Sequence, residues 1–285
     1  LSGPQGTLYG SSSTSGNIKI ITKKPDVTSV DYGFDLEYGS IEDGSNDQSL
    51  EAYINMPLGA NTAVRVSAYD LQDGGWIDNE LSTKTFTNSG YTIDNSAFAE
   101  DDYNELNKSG YRIRLASEIM GQNLDLSMLD QTSEFGGSWE TDEAVGPRSN
   151  SRFNEEYFDD DFSQISLSLS GDLNDNVEYI FTASSFERDV EYTYDYSEYV
   201  EYYNYDGPTY TCDYYDYYYY YNISGCQDPR MSYTQIDNHE RDSYEVRIQS
   251  KGDSGFQWIL GAFSESSKRD YEMAYLWPGS NPGNL

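Results

Sequence analysis

Positive charge is scarce in this sequence. Its 285 residues include 17 Lys and Arg against 50 Asp and Glu, which gives a formal net charge of −33. Proteins that bind nucleic acid through its phosphates need the opposite sign, so we expect no nucleic-acid partner. Histidine is scarcer still, because His239 is the only one. An intact Ser-His-Asp triad or a zinc site would have to use that residue.

Long apolar runs are also lacking. The longest clean run covers residues 258–263, far short of the roughly 18 apolar residues that suggest a transmembrane helix. A transmembrane β-barrel is not excluded, because its strands are only half apolar. The chain begins at Leu1, without Met, a basic segment or an apolar segment of a signal peptide, so it looks like an internal fragment.

What the sequence does contain is alternation of apolar and polar residues. Ile165, Leu167 and Leu169, for example, alternate with serines. Successive side chains of a strand point to opposite faces, so each such stretch has one apolar and one polar face. Nine strands are predicted, and they are long enough to cross a bilayer at a tilt. They cover residues 32–39, 48–57, 62–71, 109–120, 123–134, 162–172, 177–190, 241–251 and 255–270.

The connections between these strands fall into two classes. Gly, Pro, Asn and Asp form tight turns at residues 57–61, 121–123, 174–176 and 252–255. Long polar loops are predicted at 72–108, 135–161 and 191–240. A soluble β-sandwich or barrel would also alternate, but it does not explain long loops at one end only. The pattern therefore favours an all-β fold, a transmembrane antiparallel β-barrel.

Residues 1–25 differ from the rest, being rich in Gly and Ser and mildly basic. The string GPQGTLYG, a loop of small residues and then a short β-stretch ending at Pro25 resemble the end of the plug domain of TonB-dependent outer-membrane receptors. Many members of that family have Arg where this chain has Ser2, which puts local plug packing in doubt. The matching motif consists of Gly3, Pro4, Gln5, Gly6, Leu8, Tyr9, Gly10 and Gly16.

The resemblance implies a division of the chain. Residues 1–25 would be the C-terminal end of the plug, and residues 26–285 the N-terminal part of the barrel. The family's barrel has 22 strands, so the nine strands predicted here would form an incomplete transmembrane antiparallel β-barrel, and about thirteen more strands should lie downstream. A signal peptide and a TonB-contacting segment should lie upstream. Open strand edges do not persist in hydrocarbon, so we expect that the isolated chain does not insert stably.

The resemblance also implies a function: energised import of a scarce nutrient across the outer membrane of a Gram-negative bacterium. A ferric siderophore, haem, cobalamin and an oligosaccharide all stay open as substrates. The implied partners are the TonB–ExbB–ExbD complex, outer-membrane lipid and lipopolysaccharide, and a small-molecule ligand, with no cofactor. A passive porin-like channel and a surface β-protein that binds carbohydrate are the alternatives. No nucleophile–base pair is evident, so we do not expect an enzyme.

Tyrosine is unusually abundant, and many of the 29 tyrosines fall in residues 192–221. Tyr offers a rigid face with a hydroxyl, so this loop is a candidate surface for a glycan or a planar chelate. The alternative is a low-complexity loop in solvent. A net charge of −33 disfavours a strongly anionic ligand unless Ca²⁺ or local Arg mediates. The candidate substrate-binding residues are Trp76, Trp139, Tyr203, Tyr205 and Tyr215.

Three further features bear on the outer loops and the polar face. Cys212 and Cys226 are the only cysteines and predict a disulfide, whereas a metal pair would lack further ligands. Acidic clusters at residues 101–102, 155–156 and 159–161 are interpreted as a solvated outer surface, with Ca²⁺ binding or glycosidase chemistry as alternatives. Arg112 and Arg114 lie on a polar strand face, where we expect plug carboxylates as partners.

Overall fold

The computed structural model describes residues 20–206, 211, 225–252 and 255–278. Nine strands form one antiparallel sheet in the order β1-β2-β3-β7-β8-β10-β11-β12-β13. Each strand pairs with the next long strand along the chain, so the sheet is a simple meander and the expected all-β class is confirmed. The bounds are β1 Asp31–Ser40, β2 Asn46–Pro57, β3 Thr62–Asp73, β7 Leu106–Ile119, β8 Gln122–Phe135, β10 Tyr157–Asn174, β11 Val177–Asp195, β12 Ser232–Ser250 and β13 Ile259–Leu276.

The register gives the sheet two chemically different faces. Ile113 pairs with Met128, which in turn pairs with Ile165, so one apolar face runs across three strands. These side chains are 39%, 38% and 50% exposed, respectively. A soluble sheet would bury such a face, whereas lipid would cover it in a membrane. We call this side the apolar face, and the side that carries Arg114, Ser127 and Ser166 the polar face.

The two ends of the sheet also differ. At the turn end, β2–β3, β7–β8, β10–β11 and β12–β13 are joined by short connections. At the loop end lie the connections 74–105, 136–156 and 196–231. The loops hold the small pairs β4 Asp78–Asn79 with β9 Ser149–Asn150 and β5 Thr83–Thr85 with β6 Thr92–Asp94, and the helix α1 Ser197–Tyr202. The predicted asymmetry of the connections is confirmed.

The predicted loop lengths were wrong. β12 begins at Ser232, where the sequence pattern placed a loop up to residue 240, and β11 continues to Asp195 rather than to residue 190. Backbone pairing continues there without an apolar face, since His239 pairs with Arg188 and with Arg269. The residues of β12 before 241 are mostly polar on both faces, so they lack the alternation that marks the rest of the strand, although the hydrogen-bonded ladder is complete.

The long loops pack on one another at the loop end. Phe86 and Ile93 from the first loop contact Phe153, Val200 and Met231 from the other two, and all five are buried. We call this group the loop core. Hydrogen bonds reinforce it: the Asp206 carboxylate accepts from the backbone N–H and the side-chain amide of Asn88 at 2.9 and 2.8 Å. The loops therefore form a folded cap over the sheet end.

Helices are almost absent from the described residues. None of the helices found in the described ranges is long and apolar enough to cross a membrane.

Candidate functional site

The first contact of interest joins the N-terminal part of the chain to the polar face. Arg114 donates from its guanidinium to the backbone and hydroxyl oxygens of Thr22, both at 3.1 Å. The same guanidinium forms a bidentate pair with Asp125 of β8 at 2.8 and 2.6 Å. The carboxylate that pairs with Arg114 therefore comes from the neighbouring strand β8, whereas a carboxylate of the plug was expected. The segment before β1 lies on the polar face.

Asn55 fixes the path of the chain just before β1. Its side chain is almost fully buried, with 1% of the residue exposed. The side-chain oxygen accepts from the Asp26 backbone N–H at 2.8 Å, and the amide donates to the carbonyls of Asp26 and Ser29 at 2.9 and 2.8 Å. Three bonds from one buried amide satisfy backbone groups that have no strand partner. Asn55 therefore ties residues 26–29 to β2.

A row of aromatic rings crosses the polar face at its loop end. Phe135 of β8 meets Phe158 of β10 edge-on at 5.4 Å, and Phe158 stacks on Tyr192 of β11 at 5.7 Å. Tyr192 is 6.1 Å from Tyr233 of β12, which is 5.1 Å from Tyr275 of β13. Cross-strand aromatic pairs at these distances stabilise a sheet face. We call these five rings the aromatic ladder.

A cavity of about 710 Å³ lies beside the aromatic ladder. That volume falls within the range of small-molecule sites, about 300–1,000 Å³. Its walls are mainly aromatic, and Trp139, itself 58% exposed, stands at this cavity. Charged groups come from the loop between β8 and β10 and from the end of β11. The aromatic residues that line it include Phe135, Trp139, Phe158, Tyr194 and Tyr196, and the charged ones are Glu140, Arg152, Glu156 and Asp195.

Arg152 and Glu156 form the buried charged part of this cavity. The Arg152 guanidinium contacts Glu140 at 3.0 Å and Glu156 at 3.6 Å. Burial lowers the pKa of Arg152, but Glu156, Tyr103 and Asp195 together more than offset this, so the pKa is raised overall and the group stays cationic. Glu156 also accepts from the backbone N–H groups of Ser138 and Asp195, at 3.2 and 3.0 Å.

Tyr103 contacts the carboxylate of this charged pair. Its hydroxyl lies 3.3 Å from the Glu156 carboxylate and 3.0 Å from the Ser138 hydroxyl. Burial raises the pKa of Tyr103, and the nearby charge of Glu156 acts in the same direction. The phenol therefore stays neutral and can donate to Glu156 at physiological pH.

A second aromatic group surrounds α1. Tyr199 and Tyr203 lie 4.4 Å apart, Tyr203 stacks on Tyr205 at 5.8 Å, and Tyr205 is 6.2 Å from Trp277. Tyr196 joins this group to the aromatic ladder, because it stacks on Tyr233 at 5.3 Å. Aromatic packing is therefore continuous from the loops onto the polar face.

Comparisons with known proteins bear on the fold. The ferric yersiniabactin uptake receptor FyuA from Yersinia pestis is similar with a TM-score of 0.67 and 17% identity, over 98% of this chain and 37% of that one. The siderophore receptor PiuA from Acinetobacter baumannii is similar with a TM-score of 0.60 and 14% identity, over 99% and 37%. The chain has the fold of a TonB-dependent receptor.

At these identities the similarity of this TonB-dependent receptor-like chain to the two proteins shows the fold alone. The chain spans about 37% of the length of each of them. No protein-family model matches the sequence, and no curated protein matches it.

The predicted substrate-binding residues of this receptor-like chain fall in different places. Trp139 lies at the cavity, and Tyr203 and Tyr205 lie together in the group around α1. Trp76 is apart from both, in the first loop, where its backbone N–H donates to the Asn104 side chain at 2.8 Å. Tyr215 lies outside the described residues, as does the whole motif of residues 3–16. Their roles stay predictions.

Only one of the two cysteines of the predicted disulfide lies within the described residues. Cys226 is disulfide-bonded, whereas Cys212 lies outside the described residues. The pairing of these two cysteines stays a prediction.

The solvated-surface interpretation of the acidic clusters was wrong for two residues. Glu156 is buried and hydrogen-bonded, and Asp160 forms a bidentate pair with Arg188 at 2.7 and 2.6 Å. Sequence reasoning also missed Arg152, Phe158 and the cavity they line. The available signal was the alternation of Tyr192, Tyr194 and Tyr196, which places all three on one strand face.

Proposed function

We propose that this chain is part of an outer-membrane receptor that imports a scarce nutrient by energised transport through a plugged barrel. The fold supports an outer-membrane nutrient receptor. The proposal adds that residues 1–25 end a plug, that residues 26–285 begin its barrel, and that the TonB–ExbB–ExbD complex supplies the energy. Outer-membrane lipid and lipopolysaccharide would surround the apolar face.

One observation carries the proposal: the segment that precedes β1 lies on the polar face. Thr22 is held there by Arg114, and residues 26–29 are held by Asn55. A channel for passive diffusion needs no chain segment across its interior. A plug that must stay connected to its barrel needs one, with an anchored end.

The names of the similar proteins indicate which substrate class to test first. Both are named for siderophores, one as a ferric yersiniabactin uptake receptor and the other as a siderophore receptor. Among the four substrate classes that the sequence leaves open, a ferric chelate is therefore the one to test first. No enzymatic step is proposed, since the cavity would serve to hold a ligand.

Whole-cell uptake tests the proposal. The complete receptor would be expressed in an outer-membrane mutant lacking its own iron receptors, and accumulation of radioactive ferric chelates would be measured. We expect accumulation that stops when TonB is deleted or a protonophore is added, while binding at the cell surface persists. Accumulation that continues without TonB would overturn the proposal in favour of a passive channel.

The carbohydrate-binding alternative has its own signature. The exposed Trp139 and the tyrosines of the cap are also suited to stacking on sugar rings. Surface binding of an oligosaccharide, without accumulation of any ligand in cells that contain TonB, would favour that alternative.

A further inference from the structure

We propose that the cavity beside the aromatic ladder binds a ligand that presents a cationic group and discriminates against anionic ligands. This inference rests on the proposed function for its biological meaning and names the charge class of its substrate. It assigns Trp139 to contact with the cationic group and Glu140 to charge selection at the rim.

Aromatic side chains line the cavity and favour a cationic ligand. The face of an aromatic ring carries negative potential, so it attracts a cation placed over it, and Trp attracts most strongly. Trp139 stands exposed at the cavity, and Tyr194 and Tyr196 line the same cavity. Rings on more than one side can surround an ammonium group without forming a hydrogen bond to it.

The charged side chains of the cavity favour the same class of ligand. Three carboxylates line the cavity with one guanidinium, among the residues that the structure describes. That guanidinium, Arg152, is already engaged by Glu140 and Glu156, and its side chain is only 16% exposed. The Glu140 side chain is 81% exposed. A ligand that enters therefore meets a negative rim before it meets a positive charge.

An anionic ligand would face two costs at this site. It would have to displace a carboxylate from Arg152, and it would approach a chain with a net charge of −33. A cationic ligand gains from the same field, because a negatively charged surface raises the local concentration and the association rate of cations. The aromatic walls and the charges thus select the same class of ligand.

The test uses three probes of similar size, each with a benzyl group and with a cationic, a neutral or an anionic head group. They are benzyltrimethylammonium, its neutral carbon isostere neopentylbenzene, and benzylsulfonate. Binding to the purified complete receptor in detergent would be measured by calorimetry and by quenching of tryptophan fluorescence. We expect the cation to bind about threefold more tightly than the neutral isostere, as cation–π contacts at exposed sites do. Benzylsulfonate should bind more weakly than both.

Variants locate the effect. Trp139→Leu should weaken binding of the cation about threefold, and Trp139→Phe should restore most of it, because an aromatic face returns. Glu140→Gln should weaken the cation about threefold and strengthen the sulfonate by a similar factor, since a rim charge acts on both with opposite sign. Glu143→Gln is the matched control, because Glu143 is exposed in the same loop but does not line the cavity.

Several outcomes would overturn the assignment. Equal binding of cation and isostere, tighter binding of the sulfonate, or no binding of any probe would each do so. Unchanged affinity in Trp139→Leu would place the site elsewhere. Heat-modifiable mobility of each variant in electrophoresis checks that it is folded. Failure of the proposed function is separate, because it appears as import without TonB or as no import, whatever the probes show.

Discussion

The two halves of strand β10 carry opposite chemistry on the same face. Towards the turn end, Ile165, Leu167 and Leu169 point to the apolar face; towards the loop end, Asp159 and Asp161 occupy positions of the same parity. Backbone pairing with β8 and β11 is continuous through both halves. The strand therefore changes from an apolar to a charged face without any change in its hydrogen bonding, and only its side chains mark the boundary.

The other face of the sheet changes in the opposite sense. Near the turn end it carries Ser166, Ser184 and Ser243, which are small and polar, whereas at the loop end it carries the aromatic ladder. Small polar residues thus lie on the side opposite apolar ones, and aromatic residues lie on the side opposite carboxylates. The side-chain chemistry of both faces therefore changes between the turn end and the loop end, and the candidate site lies where the polar face carries aromatic residues.

The largest expected effect comes from placing a charge on each half of the same face. Leu167→Arg should destabilise the folded receptor in lipid vesicles by about 2–4 kcal/mol, the cost of Arg near the bilayer midplane. Asp159→Arg, on the same strand and face, should change the free energy of unfolding by less than about 1 kcal/mol. Urea unfolding followed by fluorescence measures both. Equal destabilisation by the two changes would refute the division of the strand.

The buried charges of the cap come next. Glu156→Gln should raise the rate of amide hydrogen exchange across residues 136–156, because Arg152 is left with one exposed carboxylate partner. The local opening free energy should fall by about 2 kcal/mol, as when a buried charge loses its partner. Glu155→Gln is the control, since Glu155 is exposed. Matching exchange in the two variants would contradict a structural role for Glu156.

Asn55 tests the anchoring of the segment before β1. Asn55→Ala removes three hydrogen bonds and leaves buried backbone groups unsatisfied, so stability should fall by about 1–2 kcal/mol. Residues 20–30 should become accessible to limited proteolysis in the purified complete receptor. The exposed Asn123→Ala serves as the control. Protection of the segment in both variants would show that other contacts hold it.

The smallest effect concerns pH. Hydrogen bonds from Lys84 and Thr87 lower the pKa of Glu201 in α1, so its stabilising contribution is present above the ordinary Glu pKa and is lost as pH falls through the lowered value. The contribution should be below about 1 kcal/mol, because the pair is partly exposed. The protection factors of the α1 amides, which remove the intrinsic pH dependence of exchange, should therefore fall below about pH 4.5. Glu201→Gln should flatten this dependence, and an unaltered pH profile would argue against the contact.

Sequence patterns predicted the part of the sheet near the turn end well, for a physical reason. One face is apolar there and the other polar, which gives strict alternation, as at Leu124 and Leu126 of β8, so the strands can be recognised directly. No such constraint acts at the loop end. Asn238 and His239 of β12 are both polar, and nothing local distinguishes a paired strand there from a loop.

The candidate site was only partly predictable for a related reason. Trp139 drew attention as an isolated aromatic after glycines, and the tyrosine alternation indicated a shared face. Arg152 and Glu156 gave no such signal, because a buried ion pair four residues apart looks like any exposed pair in sequence. Their burial depends on Tyr103 and Asp195, which come from loops and strands distant in sequence.

The amino-acid sequence alone determined the class of fold, the meander of long strands, the turn end and the loop end. These follow from local rules: side-chain alternation, turn chemistry and the sign of the charge. Only the tertiary structure decided that the loops fold into a cap, that the segment before β1 lies on the polar face, and that aromatic rings and a buried ion pair enclose one cavity. Those features depend on contacts between residues far apart in the chain, which no local pattern encodes.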